Sequence, residues 1–424
     1  MRSTPLDSFL AHESAQPLPA GSKGSLAFGT TPLGRIGALG LRVADLPTPQ
    51  ATIGRRPTDR NLAAMARWCA AQGLALAPHG KTTMSPALWK RQIDHGAWGI
   101  TVANEHQLAV ALGTGCPRIQ VANNLVRPAA AFRLRQALGV GACEQVIVWI
   151  DSDVALDRLC AAPPTGTGLG ANSQIDVLVE IGADGGRTGV RHLDEAVRLA
   201  AMAARRPQVH LLGVAGYEGA VADPGAQPDR YGRYVRSLSA AAQAIAEIAD
   251  LTAPLVSIGG SADLAQLVAL VKECISGTSA RLMVRPGVYV AHDDGMYQAR
   301  AETDLDLTAA LSVWTRVLSL PEPGLALLDA GLRDLGCDHG LPTVLGFHRG
   351  VAALGNGPSR LLRLDDQHAY LECGKAGLEL AVGDLVELGL SHPCTTFDKW
   401  PVIAEVEDRH ASGAPVLGAL RTYF

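Results

Sequence analysis

Lys81 stands directly after the apolar run Leu74–Pro78 and a His79-Gly80 turn. A lysine held in an apolar mouth can lose its proton near neutral pH and attack an aldehyde. Taken singly, a solvated loop lysine is the commoner reading. Gly259-Gly260-Ser261-Ala262-Asp263 follows a second apolar run, Leu255–Gly259, and precedes a helical stretch. Glycines let a backbone approach an anion, a helix N-terminus offers free N–H groups, and the serine adds a hydroxyl, so the segment suits a phosphate. Ser261 would equally serve as an ordinary helix cap. A phosphate cradle opposite a strand-end lysine provides the two anchors that pyridoxal 5′-phosphate (PLP) requires. Further on, Ser391-His392-Pro393-Cys394-Thr395-Thr396-Phe397-Asp398 closes an apolar run. In an extended segment residues i and i+2 project to one side, so His392 and Cys394 could offer a nitrogen and a thiolate to one ion, donors that zinc favours. Asp398, His348 and His368 are candidates to complete such a site, against the plainer reading of a buried cysteine beside a surface histidine.

These residues need elements to place them. Eight strand-like apolar runs, Leu74–Pro78, Gly99–Ala103, Arg118–Ala122, Gln145–Asp151, Ile175–Gly182, His210–Tyr217, Leu255–Gly259 and Arg281–Pro286, are separated by seven helix-length connections. Continuous hydrophobicity, as in Val146-Ile147-Val148-Trp149-Ile150, marks strands buried on both faces of a parallel sheet. Eight such units match a (β/α)8 barrel, which typically takes about 250 residues; an open doubly wound sheet is the rival. Polar groups recur at one end of the runs: His79-Gly80-Lys81, Asn104-Glu105, Asn123-Asn124, Asp151, Asp184 to Arg187, Tyr217-Glu218, Gly259-Gly260-Ser261 and Arg285. Barrels place their chemistry at the carboxyl ends of the strands and often bind phosphate after strands seven and eight, which favours closure. The Pro- and Gly-rich stretch Ala161–Ser173 reads as a surface loop. Beyond about residue 305 the runs shorten and lose their helical spacers (Leu325–Leu328, Ala369–Glu372, Asp384–Leu388, Val402–Val406), which indicates a β-rich domain. The expected division is a barrel over residues 45–305 and a β-rich domain built from 1–44 and 306–424.

Composition removes whole classes of function. The chain of 424 residues carries 37 basic and 41 acidic side chains, for a net charge of −4, without the basic surplus that nucleic acid demands. Apolar residues at 47% and charged residues at 18% exclude wholesale disorder. No apolar run approaches the roughly 20 residues that span a bilayer. The N-terminal stretch mixes Arg2, Asp7, His12 and Glu13 and does not read as a secretory leader. The eight cysteines are scattered without a C-x-x-C pair, as expected of reduced thiols. A cytoplasmic protein is expected.

Five motifs then occur in order. They are Pro78-His79-Gly80-Lys81-Thr82-Thr83, the segment from Glu180-Ile181 through Arg187 to Gly189-Val190, Gly216-Tyr217-Glu218-Gly219, Arg285-Pro286-Gly287-Val288-Tyr289, and Leu328-Asp329-Ala330-Gly331. Together they resemble the fold-type III PLP enzymes, and within these the D-serine dehydratase and D-threonine aldolase family with its alanine-racemase-like barrel, over roughly residues 45–410. The resemblance implies that Lys81 forms the Schiff base with the cofactor and that Arg187 hydrogen-bonds its phenolic oxygen. It also implies that Tyr217 contacts the ring, at the pyridine nitrogen, and that Gly259, Gly260 and Ser261 hold the phosphate. Read without it, Arg187 would pair with Asp184 or Asp151, and Tyr217 would be a core phenol. His392 and Cys394 would bind a divalent ion near the cofactor, zinc or alternatively manganese, and the enzyme would be a homodimer. Two departures bear on substrate and metal surroundings: Ala77 and Thr83 stand where the family turn R-P-H-x-K-T-H carries Arg and His, and a further stretch reads Asp365-Asp366-Gln367-His368.

The expected reaction is β-elimination from a small D-β-hydroxy amino acid such as D-serine or D-threonine, giving a 2-oxo acid and ammonia. Lys81 would take the α-proton, and the ion on His392 and Cys394 would assist the departing hydroxide. The alternative is retro-aldol cleavage to glycine and an aldehyde, with His79 as base for the hydroxyl. A non-catalytic PLP carrier is a third reading. Racemisation would need a second base opposite Lys81, and none stands out.

Overall fold

The computed structural model describes residues 3–161, 174–221, 228–260, 263–300, 305–355, 357–373 and 379–424. Ser261 and, from residue 162 on, the expected loop Ala161–Ser173 lie outside them. The first strand of the chain, β1 (Gln50–Gly54), does not join the barrel that follows it. Two compact units form, one from Met1–Asp7, Ala66–Lys81 and Gln92–Gly287, the other from Ser8–Met65, Thr82–Arg91 and Val288–Phe424.

In the first unit each of the eight expected runs delivers a strand: β2 (Ala75–Leu76), β3 (Ile100–Val102), β4 (Arg118–Val121), β5 (Gln145–Ile150), β6 (Ile175–Ile181), β7 (Val209–Gly216), β8 (Leu255–Ile258) and β9 (Arg281–Val284). Their order is β2-β9-β8-β7-β6-β5-β4-β3, with every pairing parallel. The outermost strands meet: Trp98 N–H donates to Leu76 O (2.7 Å) and Thr101 N–H to Pro78 O (2.8 Å), with a parallel bridge between His79 and Thr101. The sheet is therefore a closed (β/α)8 barrel. Side-chain oxygens start two of its helices, Asn104 accepting from Gln107 N–H (2.9 Å) before Glu105–Gly113 and Ser152 from Ala155 N–H (3.3 Å) before Asp153–Cys160, each satisfying an otherwise orphaned donor.

Ala77, Ile147, Trp149, Leu178, Ala215, Leu255 and Met283 form an apolar cluster within the barrel. A buried polar chain crosses the barrel as well. Arg285 Nη1 donates to Ser257 Oγ (2.8 Å), which donates to Gln120 Oε1 (2.8 Å). Gln120 Nε2 donates to Thr101 Oγ1 (3.2 Å), which donates to Ala77 O (2.6 Å). Each buried group finds a partner, so the chain stiffens the barrel instead of weakening it.

The second unit is mainly antiparallel. It comprises β1 with β10 (Leu311–Glu322), β11 (Leu325–Leu328), β12 (Thr343–Arg349), β13 (Ala352–Gly355), β14 (Ser359–Leu364), β15 (Ala369–Cys373), β16 (Leu385–Gly389), β17 (Val402–Val406) and β18 (Val416–Arg421). The main path runs β13-β12-β16-β10-β1-β17-β18, and the far end of β10 pairs with β11, which leads to β15 and β14. Phe28, Ile36, Trp314, Leu385, Val402 and Val416 build its core. A buried ionic group ties the turns to the sheet. Arg409 donates to Asp294 (3.3 and 2.8 Å) and to Ser312 Oγ (2.8 Å), and Ser312 donates to Glu387 Oε1 (2.6 Å). No helix among the described residues is long and apolar enough to cross a membrane.

Candidate active site

The carboxyl ends of the barrel strands bring the first unit's expected residues to one mouth. His79 and Lys81 follow β2, Glu180 lies in β6 with Arg187 in the loop beyond it, Tyr217 and Glu218 follow β7, Gly259 and Gly260 follow β8, and Arg285 follows β9. Lys81 is exposed in the short helical turn Gly80–Thr82. His79 Nδ1 is sealed from solvent and has no hydrogen-bond partner among the described residues. Burial, reinforced by the nearby charges of Lys81, Arg285 and Arg187, holds the pKa of His79 well below its ordinary value, so the imidazole is neutral.

Arg285 is buried, its Nη2 donating to Gly216 O (2.6 Å) and its guanidinium lying 4.7 Å from the centre of the Trp149 ring. Burial pulls its pKa down to about 10. Arg187 lies 4.3 Å over the Tyr217 ring, a cation–π contact. Asp151, one of the partners proposed for Arg187, instead accepts Gly189 N–H (3.1 Å). The Tyr234 hydroxyl holds the strand ends beneath, donating to Ile181 O (2.9 Å) and accepting Tyr217 N–H (2.9 Å).

Two carboxyl groups at this mouth acquire their roles only from the fold. Glu180 Oε1 accepts the Thr188 hydroxyl (2.9 Å) while Oε2 is buried without a partner among the described residues; burial pushes its pKa up to about 7. Glu218 is buried and accepts Gly259 N–H (3.2 Å) and Gly260 N–H (2.7 Å), and burial raises its pKa. The backbone donors expected to meet a phosphate at Gly259 and Gly260 are thus turned to Glu218. Gly259 has φ +98°, a conformation open to glycine and rarely to other residues.

In the second unit, His392 and Cys394 do come together, though not as an extended pair. Pro393 takes helical angles (φ −70°, ψ −29°) and Cys394 opens the helical turn Cys394–Phe397. The turn still leaves Cys394 near enough to His392 to favour its charged form. Burial opposes protonation of His392, but Cys394 and Asp338 outweigh it and raise its pKa to about 9. The Cys394 thiol also donates to the Thr82 hydroxyl (3.4 Å). Of the proposed additional ligands, His348 is engaged elsewhere, with Nδ1 3.1 Å from Ser412 Oγ and its ring against Trp314. His368 is exposed in the turn between β14 and β15, and Asp398 is exposed, within reach of the Asp338 charge. The residues gathered around His392 are instead Asp338 and His339, whose ligand atoms and that of His392 all lie within 4.8 Å of one another. Sequence reading passed over them; the signal available was the run of donors Cys337-Asp338-His339 between Gly336 and Gly340.

Residues 60–293 match the family described as alanine racemase, N-terminal domain, and residues 310–406 match the putative serine dehydratase domain. The chain belongs to the alanine-racemase-like, fold-type III family of PLP enzymes. It is 26% identical over 369 residues to a D-threonine aldolase of Arthrobacter sp, covering 86% of this chain and 90% of that protein. It is 29% identical over 312 residues to a D-threo-3-hydroxyaspartate dehydratase of Delftia sp. (strain HT23), covering 70% and 74%. Among solved structures, the D-threonine aldolase from Filomicrobium marinum matches with a TM-score of 0.74 at 25% identity, over 91% of this chain and 97% of that one.

Proposed function

We propose that this protein is a PLP-dependent lyase of D-β-hydroxy amino acids that eliminates the β-hydroxyl, giving a 2-oxo acid and ammonia with the help of a divalent ion. The observation that carries this reading is the meeting of His392 with Cys394 in a segment matching the serine dehydratase domain.

The barrel mouth fits the cofactor. Lys81 stands exposed at a strand end, a neutral imidazole beside it has a buried acceptor without a partner, and Arg187 is already held over Tyr217. Lys81 would bind the aldehyde carbon, Arg187 the phenolic oxygen, and Tyr217 the ring. The Gly259-Gly260-Ser261 turn would lie at the phosphate, with Glu218 shaping it through the first two amides. When bound, PLP supplies an electron sink that acidifies the α-proton of an amino acid joined to it. Lys81 Nζ, at the mouth of the barrel, would be the group that takes that proton. Arg187 keeps a positive charge at the mouth, and the buried Arg285 adds a second that the polar chain through Ser257 and Gln120 holds still. The His392 and Cys394 donors suit zinc, with manganese the alternative, and the ion would supply Lewis acidity toward a hydroxyl oxygen.

Retro-aldol cleavage is the second reading. What supports it is the neutral imidazole of His79 at the barrel mouth, the residue that would serve as base for the substrate hydroxyl. The protein is further proposed to be a cytoplasmic homodimer acting on small D-amino acids, as the family resemblance implies. The experiment is product analysis of the PLP- and metal-loaded enzyme with D-serine, D-threonine, D-threo-3-hydroxyaspartate and their L counterparts. A 2-oxo acid with ammonia from a D substrate supports elimination, and glycine with an aldehyde replaces it by cleavage. No turnover of any D substrate overturns both in favour of a carrier.

A further inference from the structure

We infer that Asp338 is a positioning residue for the metal pair, receiving His392 Nδ1–H so that Nε2 is the nitrogen offered to the ion beside Cys394. The inference rests on the reading of His392 and Cys394 as metal ligands. Asp338 Oδ2 lies 2.6 Å from His392 Nδ1, and Oδ1 accepts the Thr395 hydroxyl at 2.5 Å. Thr395 belongs to the helical turn that Cys394 opens. One carboxylate therefore holds the histidine on one side and the neighbour of the cysteine on the other. Both oxygens of Asp338 are engaged, and the bond to His392 Nδ1 suits it to orient that ligand. A metal-bound imidazole generally donates its second N–H to such an acceptor, which selects the tautomer and raises the basicity of the ligating nitrogen.

The segment that carries Asp338 is fastened at both ends. Gly336 N–H donates to Thr396 Oγ1 (2.9 Å), and Ser391 Oγ donates to Gly340 O (2.6 Å). A Cβ on Gly336 would fall 2.3 Å from Thr395 Oγ1, so the close approach depends on that glycine. His339 completes the arrangement, its ring edge-on to His392 with centroids 4.9 Å apart and its Nε2 3.7 Å from Asp338 Oδ2. Residues 336–340 and 391–396 thus meet at three separate hydrogen-bonded points, as a preorganised site requires.

The test is zinc affinity of the full-length, PLP-loaded protein, stripped of metal and titrated in competition with a chromophoric chelator. Asp338→Asn is expected to bind zinc roughly 10- to 100-fold more weakly than the wild type, and Asp338→Glu to recover part of the loss. Histidine 15N chemical shifts should show His392 protonated at Nδ1 in the wild type, with that preference lost in Asp338→Asn. Thr395→Val, which removes one hydrogen bond and no charge, is expected to weaken binding several-fold and serves if Asp338→Asn fails to fold. Wild-type affinity in Asp338→Asn, or in Thr395→Val should only that variant fold, overturns the inference if His392→Ala still abolishes tight binding. Wild-type affinity in His392→Ala overturns the metal reading itself.

Discussion

The carboxylate of Glu218 accepts a 2.7 Å hydrogen bond from the backbone N–H of Gly260. With its second bond, to Gly259, this acid from the end of β7 sets the turn after β8 from inside the barrel. Glu218→Ala would leave two N–H groups without their acceptor, one of them buried, and remove the acid beside Arg285. We expect a loss of about 2–4 kcal/mol in urea unfolding, together with weaker PLP binding. Glu218→Gln, which keeps an acceptor oxygen, should lose less. An unchanged unfolding midpoint in Glu218→Ala would show that the turn does not depend on this bond.

Lys81 is exposed and lies in a short helical turn, so its side chain contributes little to packing. Lys81→Ala should remain folded, with a cooperative unfolding transition, and yet lose covalent capture of the cofactor. Borohydride reduction followed by mass spectrometry should find PLP fixed at position 81 in the wild type and absent from the variant. PLP fixed elsewhere in the wild type would displace Lys81 from its proposed role.

Glu180 ties stability to pH. Its pKa is raised from 4.5 to about 7, so between those values the folded protein holds a proton that the unfolded chain has lost. The contribution of this group to stability therefore falls as pH rises through that window and is constant above it, a cost on the order of 3 kcal/mol at alkaline pH. Glu180→Gln keeps an oxygen for Thr188 and cannot ionise. Its stability relative to the wild type should climb from pH 4.5 to 7 and then level off, as followed by denaturant unfolding across pH. A flat difference would mean that the carboxyl is not buried as found.

Arg409 is buried between Asp294 and Ser312, with the buried Glu387 carboxylate 3.9 Å away. Removing one partner from such a group leaves the others charged and uncompensated, at about 3–5 kcal/mol. Arg409→Ala should lose that much. Because Asp294 N–H donates to Leu390 O (2.9 Å), two residues before His392, zinc affinity should fall as well. Loss of stability with zinc affinity intact would confine the role of Arg409 to the sheet.

The barrel strands were legible because each is a local property. Val146 to Ile150 is apolar at every position, which only a strand buried on both faces tolerates in so short a run. The polar residues that follow each apolar run also put Lys81, Arg187 and Tyr217 at one barrel end. The H-x-C pair was legible as a pair but not in its geometry, since alternation assumes an extended backbone and Pro393 bends it into a helical turn. The strand Gln50–Gly54 gave no local sign that its partners were Leu311–Trp314 and Ala404–Val406.

What the sequence determined by itself was the order of buried strands and helices and the types of side chain available at their ends. Tertiary structure alone decided which of those side chains meet: Glu218 with Gly259 and Gly260, and Asp338 with His392 across 54 residues. Hydrophobic periodicity reports on neighbours a few positions apart. A hydrogen bond between distant segments exists only once the chain has closed on itself and excluded water from both partners.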